Sequence, residues 1–389
     1  MSSPVNCLIL MPWPTNVGYA IGRLEKVFFE VALRMANGDP GRIFFAYPDC
    51  QSGMPDWTPN NLRNVVTLDV RDTTPANLSR LEDLARSRRI EFALTFDVQP
   101  VHAAFAALRR GGVSTIVSYW GAPISGISPR WRLLIKRALL AASRSCADGL
   151  IFESHAMADL AINGRGVPAS MIDVVPLGVD PEAYRPADSD YANRTLNVPT
   201  DRRIVVYSGH CNERKGVHVL IDAAMELLGS RRRTDVCFIL CGNKGDESAP
   251  FEARYRDLDV APWIRFVGYR GDLPQIFQSA YCGAIASVGW DSYTLSSVEM
   301  AASGLPIVAS RLQGLAESVL DRQTGLLFEP GNAQDLADRI EELLDNPRLA
   351  AELGKAARQR FERDLTVDVQ RDRLHTAFRR HLDRRRVSS

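Results

Sequence analysis

Short, continuous apolar runs, each followed by a helical pattern, constrain this chain more than any other feature of it. The runs CLILM (7–11), RIFFAYP (42–48), FALTFD (92–97), STIVSYWG (114–121) and GLIFES (149–154) form one series. A second comprises RIVVYSG (203–209), CFILCG (237–242), WIRFVGY (263–269), YCGAIAS (281–287), PIVAS (306–310) and TGLLFEP (324–330). A run without polar alternation suits a strand covered on both faces, and intervening helices make such strands parallel. Two series therefore predict two doubly wound α/β domains, a size that 389 residues accommodate. The expected division is 1–185, a polar, turn-rich linker 186–201, a second domain 202–365, and a terminal helix 366–389 that could brace the N-terminal domain.

Ligands of open parallel sheets bind beyond the carboxyl ends of strands. Lys215, Gly242, Arg270, Asp291 and Glu317 all fall at or just after such ends, as do Gly209 and Gly268. Gly18 and Gly22 follow the first strand in a loop, PWPTNVGYAIG, whose spacing is not GxGxxG. The most informative stretch is DSYTLSSVEMAASGLPIVAS (291–310). Asp291 precedes a polar turn, Ser292-Tyr293-Thr294, which leads through Leu295 into a helix carrying Glu299. Eight residues separate the carboxylates, so they lie at most roughly 12 Å apart. Between them a helix start offers amides without intrahelical partners and a partial positive charge, suited to a phosphate. A nucleotide-sugar fits that frame, although an Asp complementing a helix dipole beside a solvated Glu would read alike.

A net charge of +1 gives no global field for nucleic acid. No apolar run approaches the ~20 residues of a membrane span, and MSSPVNCLILMPWP lacks a basic leader, so a cytoplasmic location is expected. The seven scattered cysteines contain no CxxC pair and read as free thiols. Two DxD pairs, Asp188/Asp190 and Asp257/Asp259, fall in the linker and late in a helical pattern. They read as solvated acids, so no metal is expected. SPRWRLLIKRALLAASR (128–144) interleaves Arg130, Arg132, Lys136, Arg137 and Arg144 with Trp131 and leucines. Such a helix can lie on the inner face of a membrane or simply pack on its domain. The Arg-rich tail 371–386 reads as a surface helix.

The C-terminal half resembles the large family 4 of retaining, nucleotide-sugar-dependent glycosyltransferases (glycosyl transferases group 1), whose GT-B fold sets two Rossmann-like domains facing across a cleft. Five segments carry the resemblance in order: PLGVD (176–180), GHCNERKG (209–216), WIRFVGY (263–269), 291–310, and GLAESVLDRQTGLLFEPGN (314–332). It implies that Lys215 binds the donor diphosphate and that Asp291 contacts the donor sugar. By the same resemblance Glu299 holds ribose hydroxyls, Glu317 matches a following loop acid, and backbone around Gly268 to Arg270 meets the base. Beyond the nucleotide-diphosphate-sugar co-substrate no cofactor is implied. The acceptor, a glycan, glycolipid or small molecule, is expected in the N-terminal domain, with Trp120 and Gly121 as candidates on that side.

Five positions depart from the pattern. His210 replaces an Arg, Asp291 replaces a Glu, Ser292 and Thr294 replace glycines, and Trp120 stands where relatives carry a histidine. Exchanging Arg for a mostly neutral His forfeits a charge-assisted contact of about 1.5–3 kcal/mol. In the retaining mechanism usually proposed for the family, the departing phosphate accepts the acceptor's proton, so positioning and charge stabilisation remain the enzyme's part. The departures leave a second reading open: a glycosyltransferase-like binding or scaffold subunit without turnover.

Overall fold

The computed structural model describes residues 3–60, 62–124, 126–143, 145–242, 245 and 247–388. Two compact units emerge, one of Met1–Pro176 with Gln370–Ser389, the other of Leu177–Val369.

The first unit is a parallel sheet of seven strands: β1 (Cys7–Leu10), β2 (Ile43–Tyr47), β3 (Val65–Thr67), β4 (Phe92–Phe96), β5 (Thr115–Trp120), β6 (Gly149–Phe152) and β7 (Ile172–Val174). Their order is β3-β2-β1-β4-β5-β6-β7. Successive side chains alternate between faces. Leu8 and Leu10 pack with Phe44, Leu81, Phe105 and Leu108, beneath helices Pro75–Ser87 and Ala103–Arg110. Opposite, Phe28 of helix Tyr19–Met35 meets Tyr119 at 5.1 Å, and Phe378 meets Phe92 at 5.0 Å. Phe378 belongs to the helix Val367–Ser388, whose Leu374, Phe378 and Leu382 recur every fourth residue and are buried. Its polar flank pairs Arg371 with Glu30, Asp372 with Arg34, and Arg380 with Asp173. Gly149 is required where this helix closes on β6, because a Cβ there would stand 2.3 Å from His381 Nε2.

The second unit repeats the plan with β8 (Arg203–Ser208), β9 (Val236–Cys241), β10 (Ile264–Gly268), β11 (Cys282–Ile285), β12 (Ile307–Ser310) and β13 (Gly325–Phe328). The order is β10-β9-β8-β11-β12-β13, again parallel. Helices Val217–Met225 and Ala333–Asp345 bury Leu220, Leu336 and Ile340 against one face. On the other, Met300 of helix Leu295–Ala302 presses on β11, where a Cβ at Gly283 would lie 2.3 Å from its sulfur. The segment expected as a linker is built into this unit instead. Its helix Tyr191–Thr195 buries Ala192, and the Tyr191 hydroxyl donates to Asp272 (2.7 Å).

All seven cysteines are free thiols, and burial pushes Cys7 and Cys282 up to about 12. Among the described residues no helix is long and apolar enough to cross a membrane.

Candidate active site

Each sheet reverses its winding once, and in the second unit this happens between β8 and β11. These neighbours are paired in register, Cys282 with Val205 and Gly283 with Val206. The loops leaving their carboxyl ends must therefore meet, and these are the loops of Lys215 and Asp291. Asn212 starts a short 3-10 turn, Glu213–Lys215, by accepting from the Lys215 amide (2.9 Å). Gly216 then adopts φ +65° and passes so close to β11 that a Cβ would lie 1.7 Å from the Ala286 carbonyl oxygen. The Val288 amide donates back to the Arg214 carbonyl (2.9 Å). Only glycine supplies both the left-handed backbone and the clearance.

This lacing brings Lys215 Nζ to 2.7 Å from Asp291 Oδ2. The Ser287 hydroxyl donates to the same oxygen (2.6 Å), and the Ser292 amide to Oδ1 (3.2 Å). Gln313 Oε1 accepts from the Asp291 amide (3.0 Å), fixing the turn. Arg214 stacks over Trp290 (4.6 Å), donates to its carbonyl (3.0 Å), and stands 4.0 Å from Asp291. Asp291 is 6% exposed. A nearly buried carboxylate has thus collected one close cation, a second nearby and two further donors, which offsets its desolvation.

Three residues on, Thr294 caps helix Leu295–Ala302, its hydroxyl accepting from the Ser297 amide (3.2 Å). Ser296 binds the Ser208 carbonyl (2.7 Å), so the first turn is tied to the end of β8. By helical geometry the amides of Leu295 and Ser296 have no carbonyl one turn back to bind. Glu299 is buried in this helix, 2% exposed, and not solvated. Lys215, Asp291, Ser292, Thr294, Leu295 and Glu299 therefore belong to one short stretch of the carboxyl edge.

The predicted glycines line the same edge. The Gly209 amide donates to the Cys241 carbonyl and the Gly242 amide to the Gly268 carbonyl, at 3.0 and 2.9 Å. Gly242 also leaves room for Cys211, whose sulfur would lie 2.3 Å from a Cβ. His210 is exposed, and its carbonyl accepts from the Tyr207 hydroxyl (2.7 Å). Arg270 binds both oxygens of Asp272 (2.8 and 2.5 Å), which fixes its guanidinium. Tyr293 differs from expectation: its hydroxyl anchors the Glu317 carbonyl (3.0 Å) and accepts from Arg360 (2.9 Å), a bracing part. Arg214, Ser287, Gln313 and Arg360 escaped sequence reasoning, since they reach the site across sequence gaps that no local pattern records.

In the first unit two expectations are corrected. Gly22 lies inside helix Tyr19–Met35, not in a loop, and a Cβ there would meet nothing nearer than Trp57 Cδ1 at 3.8 Å. Trp120, a candidate on the acceptor side, is 4% exposed and packs in an apolar cluster with Phe152, as a core side chain. Its neighbour Gly121 donates its amide to Asp97 (3.0 Å), which follows β4 beside the winding reversal of this sheet. Burial pushes the Asp97 carboxyl up to about 6, against the Gly121 amide that favours its charge. The exposed DxD acids lie away from such edges. Asp188 and Asp190 precede the Tyr191–Thr195 helix, and Asp257 and Asp259 follow the helix Ala249–Glu252.

Comparison with known proteins bears on the family. Residues 189–360 match the family described as Glycosyl transferases group 1, and residues 37–178 match the Glycosyl transferase 4-like domain. Each half of the chain thus matches a glycosyl transferase model, the second half that of group 1. Each unit is a parallel-sheet α/β domain of the kind that the GT-B fold pairs. The D-inositol 3-phosphate glycosyltransferase of Corynebacterium aurimucosum is 34% identical over 194 residues, 48% of this chain and 46% of that protein. The chain spans about half the length of the curated relatives it matches. A glycosyltransferase from Rickettsia africae superposes with a TM-score of 0.79 at 14% identity, covering 97% of this chain and 99% of that one. Anabaena HepE in complex with UDP-glucose gives 0.74 at 18%, covering 95% and 98%. At such identities these likenesses establish the fold.

Proposed function

We propose that this group 1 member is a hexosyltransferase that moves a sugar, with retention, from a nucleoside-diphosphate sugar to a glycan, glycolipid or small-molecule acceptor. The observation that carries the reading is the Lys215–Asp291 pair at the winding reversal, three residues before a capped helix start. A lysine held against a carboxylate can exchange that partner for a diphosphate, which the first amides of helix Leu295–Ala302 also favour. Asp291, still bound by Ser287, is then free to accept from sugar hydroxyls. Glu299, buried one turn further on, suits ribose hydroxyls, and backbone near Gly268 suits the base. In the transfer itself the C1–O bond to the diphosphate breaks, a C1–O bond to the acceptor oxygen forms, and the acceptor's proton passes to the departing phosphate. Lys215 and the helix start stabilise the charge left on that phosphate. No metal is assigned a part.

The inositol phosphate acceptor named for the relatives makes a phosphorylated polyol one candidate, and Asp97 is the acid best placed in the first unit to accept from an acceptor hydroxyl. Titration calorimetry across UDP, GDP, ADP, TDP and CDP, with UDP first because HepE was crystallised with it, is expected to single out one base. The matching nucleotide-sugar should then give a product whose anomeric configuration, read by NMR, equals that of the donor. Lys215→Ala and Glu299→Ala variants that are folded yet transfer sugar at the native rate would overturn the assignment. Nucleotide binding without turnover on any donor would favour the binding-subunit reading that His210, Ser292 and Thr294 motivate.

A further inference from the structure

Residues 98–147 contain six Arg and one Lys but not a single Asp or Glu. At the centre of this segment lies helix Arg130–Ala142. One face holds it to its unit: Leu133 is buried, and Lys136 Nζ donates to the Ser128 hydroxyl (2.8 Å) and the Gly164 carbonyl (2.5 Å). The opposite face is apolar and bare. Trp131 is 60% exposed, Leu134 and Leu139 66%, and Ile135 53%, with Ile127 at 80% just before the helix. At 3.6 residues per turn Trp131, Leu134, Ile135 and Leu139 share one stripe, bordered by Arg130 and Arg137 on one side and Arg132 on the other. None of these three arginines has an ion-pair partner among the described residues, and Arg132 lies over the Trp131 ring (5.0 Å). Contiguous bare apolar surface of this kind marks a contact surface in most proteins.

Along the Arg137 border opens a cavity of about 400 Å³, lined by Arg137, Cys146, Asp148, His381, Arg384 and Arg385 among others. Its acid is already engaged, since Asp148 is bound by both Arg109 (2.5 Å) and Arg385 (2.5 Å). Arg137 leaves the lining cationic, and Arg384 beside it donates to the Ser170 carbonyl (2.8 Å).

We propose that this helix is the surface by which the protein lies on an anionic phospholipid membrane. The stripe enters the boundary between headgroups and acyl chains, the bordering arginines meet lipid phosphates, and the Arg137–Arg384 cavity receives the phosphate of one headgroup. Charge complementarity selects this occupant: cations flank the apolar stripe on both sides, and a 50-residue segment has been kept free of the acids that an anionic surface would repel. The contact is peripheral, and it stands independently of the transferase reading because no turnover is needed to observe it.

The test is flotation of the full chain with vesicles of phosphatidylcholine, with and without phosphatidylglycerol. Co-flotation only with phosphatidylglycerol is expected, weakening as salt is raised. The exposed double variant Leu134→Glu/Leu139→Glu should abolish it. Each of Arg130→Ala, Arg137→Ala and Arg384→Ala should weaken it about fivefold. Quenching of native fluorescence by brominated lipid should disappear in Trp131→Phe. Thermal melts confirm that each variant is folded. Folded native protein that ignores both vesicle types would overturn the proposal, as would flotation indifferent to the Leu134/Leu139 substitutions. So would conversion of an oligomer to a monomer by those substitutions without any vesicle binding, which would make the face a self-association surface. Arg384→Ala binding as the native protein does would remove the cavity's part.

Discussion

Lys215 and Asp291 satisfy one another, and that mutual satisfaction makes the site's energetics testable residue by residue. Removing one partner of a nearly buried pair leaves the other unpaired, at a cost of about 3–5 kcal/mol. In Asp291→Asn the uncompensated Lys215 should lower the melting temperature and then respond more strongly to a nucleoside diphosphate than the native protein does. On the proposed role of Asp291 as a donor-sugar contact, sugar transfer should fall at least ~10-fold. Calorimetry and turnover on the same preparation check both halves. Glu25 offers a second experiment at this scale. It is buried in helix Tyr19–Met35, accepts from the Trp57 indole (2.6 Å), and burial pushes its carboxyl up from 4.5 to about 7. A raised folded-state value means the native protein binds the proton more tightly than the unfolded chain. The stability this group contributes is whole below pH 4.5 and is lost as pH rises through about 7. Glu25→Gln, which keeps an acceptor for Trp57, should therefore stabilise the protein above neutrality, by on the order of 3 kcal/mol, and be nearly neutral near pH 4.5. Thermal melts across that range would show it.

Among the elements, the helix Leu295–Ala302 carries most of the proposed function, and its start is its vulnerable point. Thr294→Ala removes the cap and should destabilise the second unit by about 1 kcal/mol while weakening diphosphate binding. Thr294→Ser should restore both, which separates the hydroxyl from the methyl. Most of this element could be read in advance, because Thr294, Leu295, Val298 and Gly304 spell a cap, an apolar face and a stop within eleven residues. The central strands were legible for the same reason: CLIL, IFFAY and VCFILC are buried on both faces and look it. Elements with less apolar surface were not. Strand β3 is half exposed at the sheet edge, and helix Tyr191–Thr195 is a five-residue turn held by Ser279 and Asp272, groups more than 80 positions away. In the site, Lys215, Asp291 and Glu299 could be named because their loops follow strands. Their mutual contact could not, because it depends on β8 lying beside β11, a fact of sheet order. Trp120 misled for a related reason: a strand-end aromatic can face a ligand or the core, and Ile124, Phe152 and Met157 placed it in the core.

At the scale of the whole molecule, the two units differ in how they use the chain. Residues 177–369 form one continuous stretch with a complete sheet and its own core. Expressed alone, this stretch should fold cooperatively and bind the nucleoside diphosphate with an affinity close to that of the full chain. Residues 1–176 alone should be insoluble or molten, because Leu374, Phe378 and Leu382 are missing from the face of Phe92. Adding the peptide 370–388 in trans should rescue it, and circular dichroism with analytical centrifugation would decide.

That same helix imposes an order in time. Phe378 leaves the ribosome 286 residues after the Phe92 it must cover. At ~5–20 residues per second this is a wait of roughly 15–60 s. Throughout that interval the earlier-made sheet lacks this helix on one face, and the second unit is itself complete only at residue 369. The first sheet is thus made early and covered late: its fold is settled only once residues 370–388 have been translated.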